Sequence, residues 1–159
     1  MPSIKSSILG ISLGTRMVGV AVLCQGELVE WKVLPFKGKW AIEKQNEIID
    51  SIIEILSEYK VLKIAMKKIC PIRASLPLLE LERTFIDWCI ENYYRPKQFT
   101  IEQIRTFQEN NSHKLEEELN YEYNRQQQIN TPYYAKVFEA VTLAQMGNDA
   151  SKMLHTKKS

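Results

Sequence analysis

Ile8-Leu9-Gly10-Ile11-Ser12-Leu13-Gly14-Thr15-Arg16-Met17-Val18-Gly19-Val20-Ala21-Val22 is the stretch on which the fold turns. It opens as a mostly apolar run, which suits a strand buried on both faces better than one with a solvent face. Gly14-Thr15-Arg16 interrupts the run, and Met17 to Cys24 resumes it with Val and Ala. The pattern predicts a first strand over 6–12, a turn, and a second strand running back beside the first. Gln25-Gly26 is a further turn signal. From Glu27 to Leu34 polar and apolar residues alternate, with Val29, Trp31 and Val33 on the apolar phase. A third, half-buried strand therefore completes an antiparallel meander.

Further along, the apolar period lengthens to three and four. After the Pro35–Lys39 loop, Ile42, Ile49, Ile52, Ile53 and Leu56 predict a helix within Trp40–Tyr59. Val61–Met66 then reads as a buried fourth strand. Strand, helix, strand is a crossover unit, so the fourth strand is expected parallel to the first. A basic loop, Lys67-Lys68-Ile69-Cys70-Pro71-Ile72-Arg73, leads into a helix over Ser75–Tyr94. Pro77 suits its first turn, and Leu79, Phe85, Ile86, Cys89, Ile90 and Tyr93 are expected to face inward. Gln98–Ile104 is the expected fifth strand, Asn110–Ser112 a loop and cap, and His113 to about Arg125 a polar helix carrying Glu116-Glu117-Glu118. Thr131-Pro132 is a cap and first-turn signal for a last helix that Gly147 is expected to stop after Met146. The fold class expected is α/β: a five-stranded mixed sheet, meander first, flanked by helices. One domain spans 1–150, and 151–159 is a polar tail.

At 159 residues the chain can bury a core without disulfide or metal staples. Its 21 basic and 19 acidic residues nearly balance, so only a local patch could mark a nucleic-acid partner. Cys24, Cys70 and Cys89 form no CxxC pair and have no histidine at ligand spacing; they read as reduced core thiols in a reducing compartment. His113 and His155 are isolated. There is no signal-peptide core and no apolar run able to cross a bilayer, so a soluble cytoplasmic protein is expected.

Gly10-Ile11-Ser12-Leu13-Gly14-Thr15-Arg16, set in its hairpin, resembles the first hairpin of the RuvC and YqgF families of Holliday junction resolvase-like nucleases, in the RNase H-like superfamily. The resemblance implies an RNase H-like fold and two-metal phosphodiester hydrolysis, with cations about 4 Å apart bridging the scissile phosphate. Such cations need oxygen ligands. The family pattern supplies four acids: one ending the first strand, one ending the fourth, and two on the last helix, three residues apart on one face. Here those positions fall on Ser12, on Met66 (or Lys67 with a one-residue slip), and on Lys136 and Glu139. A serine hydroxyl is a weak neutral ligand, and a lysine adds charge of the wrong sign. A metal would find Glu139 at most, and Lys136 paired with Glu139 would fill its place with an ammonium. No cofactor is expected, and Mg2+ or Mn2+ enters only if the chain cleaves.

The expectation is a catalytically degenerate RuvC-like protein that binds branched DNA or other structured nucleic acid, or a nuclease partner. The alternative is an active metal-dependent, structure-specific endonuclease with a rearranged site. Arg16, Lys67, Lys68 and Arg73, with Lys63 nearby, are the candidate phosphate contacts; the plainer reading is a solvated basic loop, with Arg16 capping its turn or pairing with an acid. Tyr93, Tyr94, Tyr121, Tyr123, Tyr133 and Tyr134 could stack on bases but suit amphipathic core edges better. Glu80 and Glu82, two apart, do not share a helix face. The glycine loop also resembles the first phosphate loop of actin-like ATPases, which have two such domains and a second phosphate loop; 159 residues are too few for that layout and show no second Gly-rich loop, so this reading is not the expected one. An assembly module with an unused groove is the remaining reading. RuvC relatives are dimers, which implies a homodimer.

Overall fold

The computed structural model describes residues 7–118 and 131–158. β1 (Ser7–Ser12), β2 (Met17–Cys24) and β3 (Glu27–Pro35) form the antiparallel meander. β4 (Lys63–Lys67) lies parallel to β1 on its other side, and β5 (Lys97–Phe99) parallel to β4. The sheet order is β3-β2-β1-β4-β5. Helices α1 (Ile42–Glu58), α2 (Leu76–Glu91), α3 (Ile101–Glu118) and α4 (Thr131–Lys158) flank it. The α/β class, the mixed sheet and the parallel crossover to β4 are as expected from the sequence.

The central strands are buried on both faces, which explains their unbroken apolar character. One face carries Leu9, Ile11 and Leu13, Val18, Val20 and Val22, and Ile64 and Met66, packed on Ile48, Ile52 and Ile55 of α1 and Leu81, Phe85 and Cys89 of α2. The alternate residues of the same strands face α4. Ala21 and Leu23 meet Val137, Ala140, Val141 and Ala144, while Ile8 and Ala65 meet Leu143 and Met146. Every residue of α4 from Ala140 to Gly147 is buried. Gln108 of α3 donates to the Thr142 hydroxyl at 3.2 Å, closing the outer side of α4.

Several elements depart from the sequence reading, each for a local reason. The β2–β3 register shifts between Val22 and Leu23, so Val29 becomes the extra residue of a bulge and is 46% exposed. Leu28 therefore joins Trp31 and Val33 on the α4 side in place of Val29. The fifth strand stops at Phe99 because Thr100 and Gln103 form a capping box: Gln103 N–H donates to the Thr100 hydroxyl (3.2 Å), and Thr100 N–H donates to the Gln103 side chain (2.8 Å). The expected loop at Asn110–Ser112 is instead a kink inside α3 at Asn111, whose amide donates to Phe107 O at 2.9 Å. In α2 the fully buried side chains include Leu81, while Ile90 is 63% and Tyr93 97% exposed, Tyr93 sitting at φ 66 just past the helix end.

Gly147 does not stop α4, and residues 151–158 continue the helix where a tail was expected. A β-carbon at Gly147 would stand 3.1 Å from Ala65 Cβ and 3.3 Å from Ile8 Cγ2, so this glycine serves close helix–sheet packing and no cap. The cysteines also divide: Cys89 is buried, its thiol pushed up to about 12 by burial, but Cys70 is exposed and lies outside the core. No helix among the described residues is long and apolar enough to cross a membrane. Tyr121, Tyr123 and the glutamine run lie outside the described residues, as do the side chains of His113, Glu116, Glu117, Glu118, Tyr133, Tyr134 and His155.

Candidate nucleic-acid interface

β1 and β4 are parallel, so their C-terminal ends emerge together at one edge of the sheet. Period-two alternation places Gly10 and Ser12 of β1, and Ala65 and Lys67 of β4, on the side facing α4. Met66 points the other way and is 1% exposed in the core beneath α1 and α2. The residue that ends β4 beside Ser12 is therefore Lys67, and the assignment of Met66 to the site is corrected by one position. From above, α4 contributes Lys136 and Glu139, one helical turn apart.

These four side chains form one network. The Ser12 hydroxyl, fully buried, donates to Glu139 Oε1 at 2.6 Å. Lys136 Nζ donates to Ser12 Oγ at 3.2 Å and to the Leu13 carbonyl at 2.8 Å. Lys67 Nζ lies 3.1 Å from Glu139 Oε1 and 3.4 Å from Oε2. The lysine that pairs directly with Glu139 is thus Lys67 from the sheet; Lys136 reaches the carboxylate through Ser12. Gly14 makes room for this arrangement, since a β-carbon there would stand 3.0 Å from Lys136 Nζ and collide with the Met17 carbonyl. Burial lowers the Lys136 pKa below the usual lysine value; Glu139 opposes the shift and the Lys67 charge adds to it.

The donor set does not fit a divalent cation. Among the described residues Glu139 is the single carboxylate of the site, and it already accepts from Ser12 and Lys67. Two ammonium groups occupy its surroundings, whereas Mg2+ needs converging oxygen ligands. Among the described residues no group of three His, Cys, Asp or Glu side chains converges anywhere.

The network lies beside an open groove of about 370 Å³ running from the β1–β2 turn to the loop after β4. Arg16, Lys67, Lys68, Arg73 and Lys136 line it, and no acidic side chain does among the described residues. All four residues singled out as phosphate contacts therefore share one surface, together with Lys136. Arg16 is exposed and continues into a second hollow lined by Lys37 and Lys44. Among the described residues Arg16 and Arg73 form no salt bridge. The loop after β4 is held in shape: Lys68 N–H donates to Phe99 O (2.8 Å), Ile69 N–H to Glu82 Oε2 (3.2 Å), and Arg73 N–H to Cys70 O (3.1 Å). Burial raises the Glu82 pKa, against the Ile69 N–H and the charge of Lys68. Sequence reasoning had no signal for this clamp, because Glu82 is thirteen residues from its partner.

Two expectations fall elsewhere. Lys63 begins β4 and lies at the opposite end of the strands, beside Tyr93, Arg95 and Lys97. Tyr94 stacks on Trp88, with ring centroids 6.0 Å apart, and donates to Val61 O at 3.0 Å, the core-edge role.

Sheet order, the central α4 and a groove at the ends of β1 and β4 together decide the fold. It is the RNase H-like fold of the RuvC-type resolvases. Thermus thermophilus RuvC in complex with a Holliday junction substrate superposes with a TM-score of 0.71 at 14% identity, covering 93% of this chain and 96% of that one. A second Thermus thermophilus RuvC structure gives 0.68, also at 14% identity, covering 92% and 96%. The Fowlpox virus resolvase in complex with Holliday junction DNA gives 0.61 at 9% identity, covering 91% and 97%. No family model and no curated protein sequence matches the chain. The RuvC-type fold is thus carried by layout, with little sequence in common.

Proposed function

We propose that this protein binds nucleic acid, with branched DNA the foremost ligand, through the basic groove at the ends of β1 and β4, and that it does so without two-metal cleavage. One observation carries the proposal: Arg16, Lys67, Lys68, Arg73 and Lys136 converge on a groove with no acidic side chain among its described lining residues. A phosphate backbone is the extended polyanion such a surface suits, and neutralising it releases counter-ions. Ser12, Lys67 and Lys136 stand where the RuvC-like resemblance would place acids, and their neutral or positive side chains favour binding over hydrolysis, because hard cations require oxygen ligands. Both resolvases of like fold were captured with Holliday junctions, which makes a four-way junction the first ligand to try. Free thiols, one of them on the exposed Cys70, favour a reducing, cytoplasmic setting.

The test is a titration of a four-way junction, and of linear duplex with the same sequence, across a range of salt. Junction binding is expected to weaken steeply with salt. Lys68→Ala and Arg73→Ala should each weaken it and reduce the log–log salt slope by about one unit. No binding at low salt, or wild-type slopes in both variants, would count against the proposal. Junction cleavage with Mg2+ or Mn2+, abolished by Glu139→Ala, would establish the endonuclease instead.

A further inference from the structure

The mismatch between this site and a metal centre has a positive side. We propose that Lys67 and Lys136 form a metal-free phosphodiester site at the edge of the groove, with Glu139 as the internal counter-ion with which a nucleic-acid phosphate competes for Lys67. The inference rests on the nucleic-acid-binding reading above and adds to it one phosphate position and a role for the retained acid.

An ammonium carries three N–H donors. Lys136 Nζ spends two, on Ser12 Oγ and Leu13 O. Among the described residues Lys67 Nζ engages only Glu139, at 3.1 and 3.4 Å, the geometry of a loose pair. Neither ammonium has a further partner among the described residues, and both line the groove. The side chains of Lys67 and Glu139 are 25% and 24% exposed, so their pair is open to an incoming ligand. Ser12, by contrast, is fully buried and holds the carboxylate by a short 2.6 Å bond. A phosphate can therefore draw Lys67 away while Glu139 stays anchored to Ser12. Lys136 favours the exchange, because a half-buried cation with one carboxylate shared between two ammonium groups is under-compensated. A tetrahedral phosphate, with several acceptor oxygens, can take one donor from each lysine. A divalent cation would meet those same two charges as repulsion.

The sign of one substitution separates this site from a metal site. Glu139→Gln keeps the side-chain shape and an acceptor for Ser12 but removes the competing charge. In the full chain, with a four-way junction as probe and EDTA present, it is expected to tighten binding about five-fold, the equivalent of releasing one partly exposed ion pair. At a metal centre the same change would weaken metal-dependent binding. Lys136→Met and Lys67→Met should each weaken junction binding about ten-fold or more, as loss of a charge-assisted contact does. The Lys67→Met/Glu139→Gln double variant, which leaves no unpaired carboxylate, should stay weak with a wild-type melting temperature. Inorganic phosphate should compete better against wild type than against Lys136→Met. Unchanged or weaker binding by Glu139→Gln, or wild-type binding that requires Mg2+, overturns this site while leaving nucleic-acid binding in place. Absence of junction binding by the wild type at low salt overturns both.

Discussion

The triple variant Ser12→Asp, Lys67→Glu, Lys136→Asp is expected to unfold at a temperature that climbs with Mg2+ or Mn2+, while the parent shows no such dependence beyond ionic strength. In the parent the side chains at these positions already touch: Ser12 on Glu139 at 2.6 Å, Lys136 on Ser12 at 3.2 Å, Lys67 on Glu139 at 3.1 Å. Carboxylates placed there, with Glu139, converge from two strands and one helix. Like charges that close repel and raise one another's pKa, so without metal the variant is expected to be less stable than the parent. A dication reverses this, because it supplies the positive charge that the two lysines now provide. Binding to the folded state alone stabilises by about 2.7 kcal/mol at a hundred-fold excess over Kd. In a domain of this size that is roughly a 5–10 °C rise. Lys67→Glu alone should lose stability with no response to metal, since the Lys136 ammonium still adjoins the site. Thermal unfolding of parent, single and triple variants against metal concentration, with EDTA controls, decides it. A folded triple variant indifferent to both metals would mean that the four positions do not share one coordination shell.

How much of this was legible in the sequence depended on which faces each element buries. The meander and the crossover to β4 could be read because β1, β2 and β4 carry apolar residues on both faces. That same property hid the register of β4: Ile64, Ala65 and Met66 are all apolar, so no alternation distinguishes the residue facing α1 from the one facing α4. Met66 and Lys67 could be separated only once β1 was paired beside them. The pairing of Glu139 shows a similar limit. Three-residue spacing on a helix suggests that Lys136 and Glu139 meet, yet the lysine that pairs with the carboxylate is a strand residue 72 positions away. Val29 followed the alternation until a bulge, invisible in the pattern, turned it outward. The Thr100–Gln103 capping box, by contrast, is written plainly as Thr-x-x-Gln and would have ended β5 correctly. Gly147 read as a stop because its packing role depends on Ala65 and Ile8, residues far away in the chain.

Gly10→Ala is expected to be among the most damaging single changes available, although it adds one methyl group at a position with ordinary backbone angles. Its β-carbon would collide with the Ala140 carbonyl oxygen and stand 2.6 Å from Ala144 N and 3.0 Å from Ala144 Cβ. Two of these are backbone atoms of α4, so no rotamer change relieves the overlap. Gly19 on β2 is matched to the same helix, with a β-carbon there 2.8 Å from the Lys136 carbonyl carbon. Glycine on the strands and alanine on the helix thus set the distance at which α4 rides over the sheet. That distance also sets the site: an outward shift of α4 must stretch Ser12–Glu139 and Lys136–Leu13 O, its two hydrogen bonds under 3 Å. Overpacking a close contact costs about 1–3 kcal/mol, and an unyielding backbone neighbour places this one at the top of that range or beyond. Against a total stability of about 5–15 kcal/mol the loss is large. Gly38→Ala is the control. Gly38 sits at φ 96 with nothing within 4 Å of its β-carbon, so only backbone strain of roughly 1–2 kcal/mol is expected. Urea unfolding should therefore give midpoints in the order wild type, Gly38→Ala, Gly10→Ala. Junction binding should fall in Gly10→Ala even where the protein stays folded, because Lys136 and Glu139 move with their helix. A wild-type midpoint for Gly10→Ala would mean that α4 does not pack against β1 at the distance described.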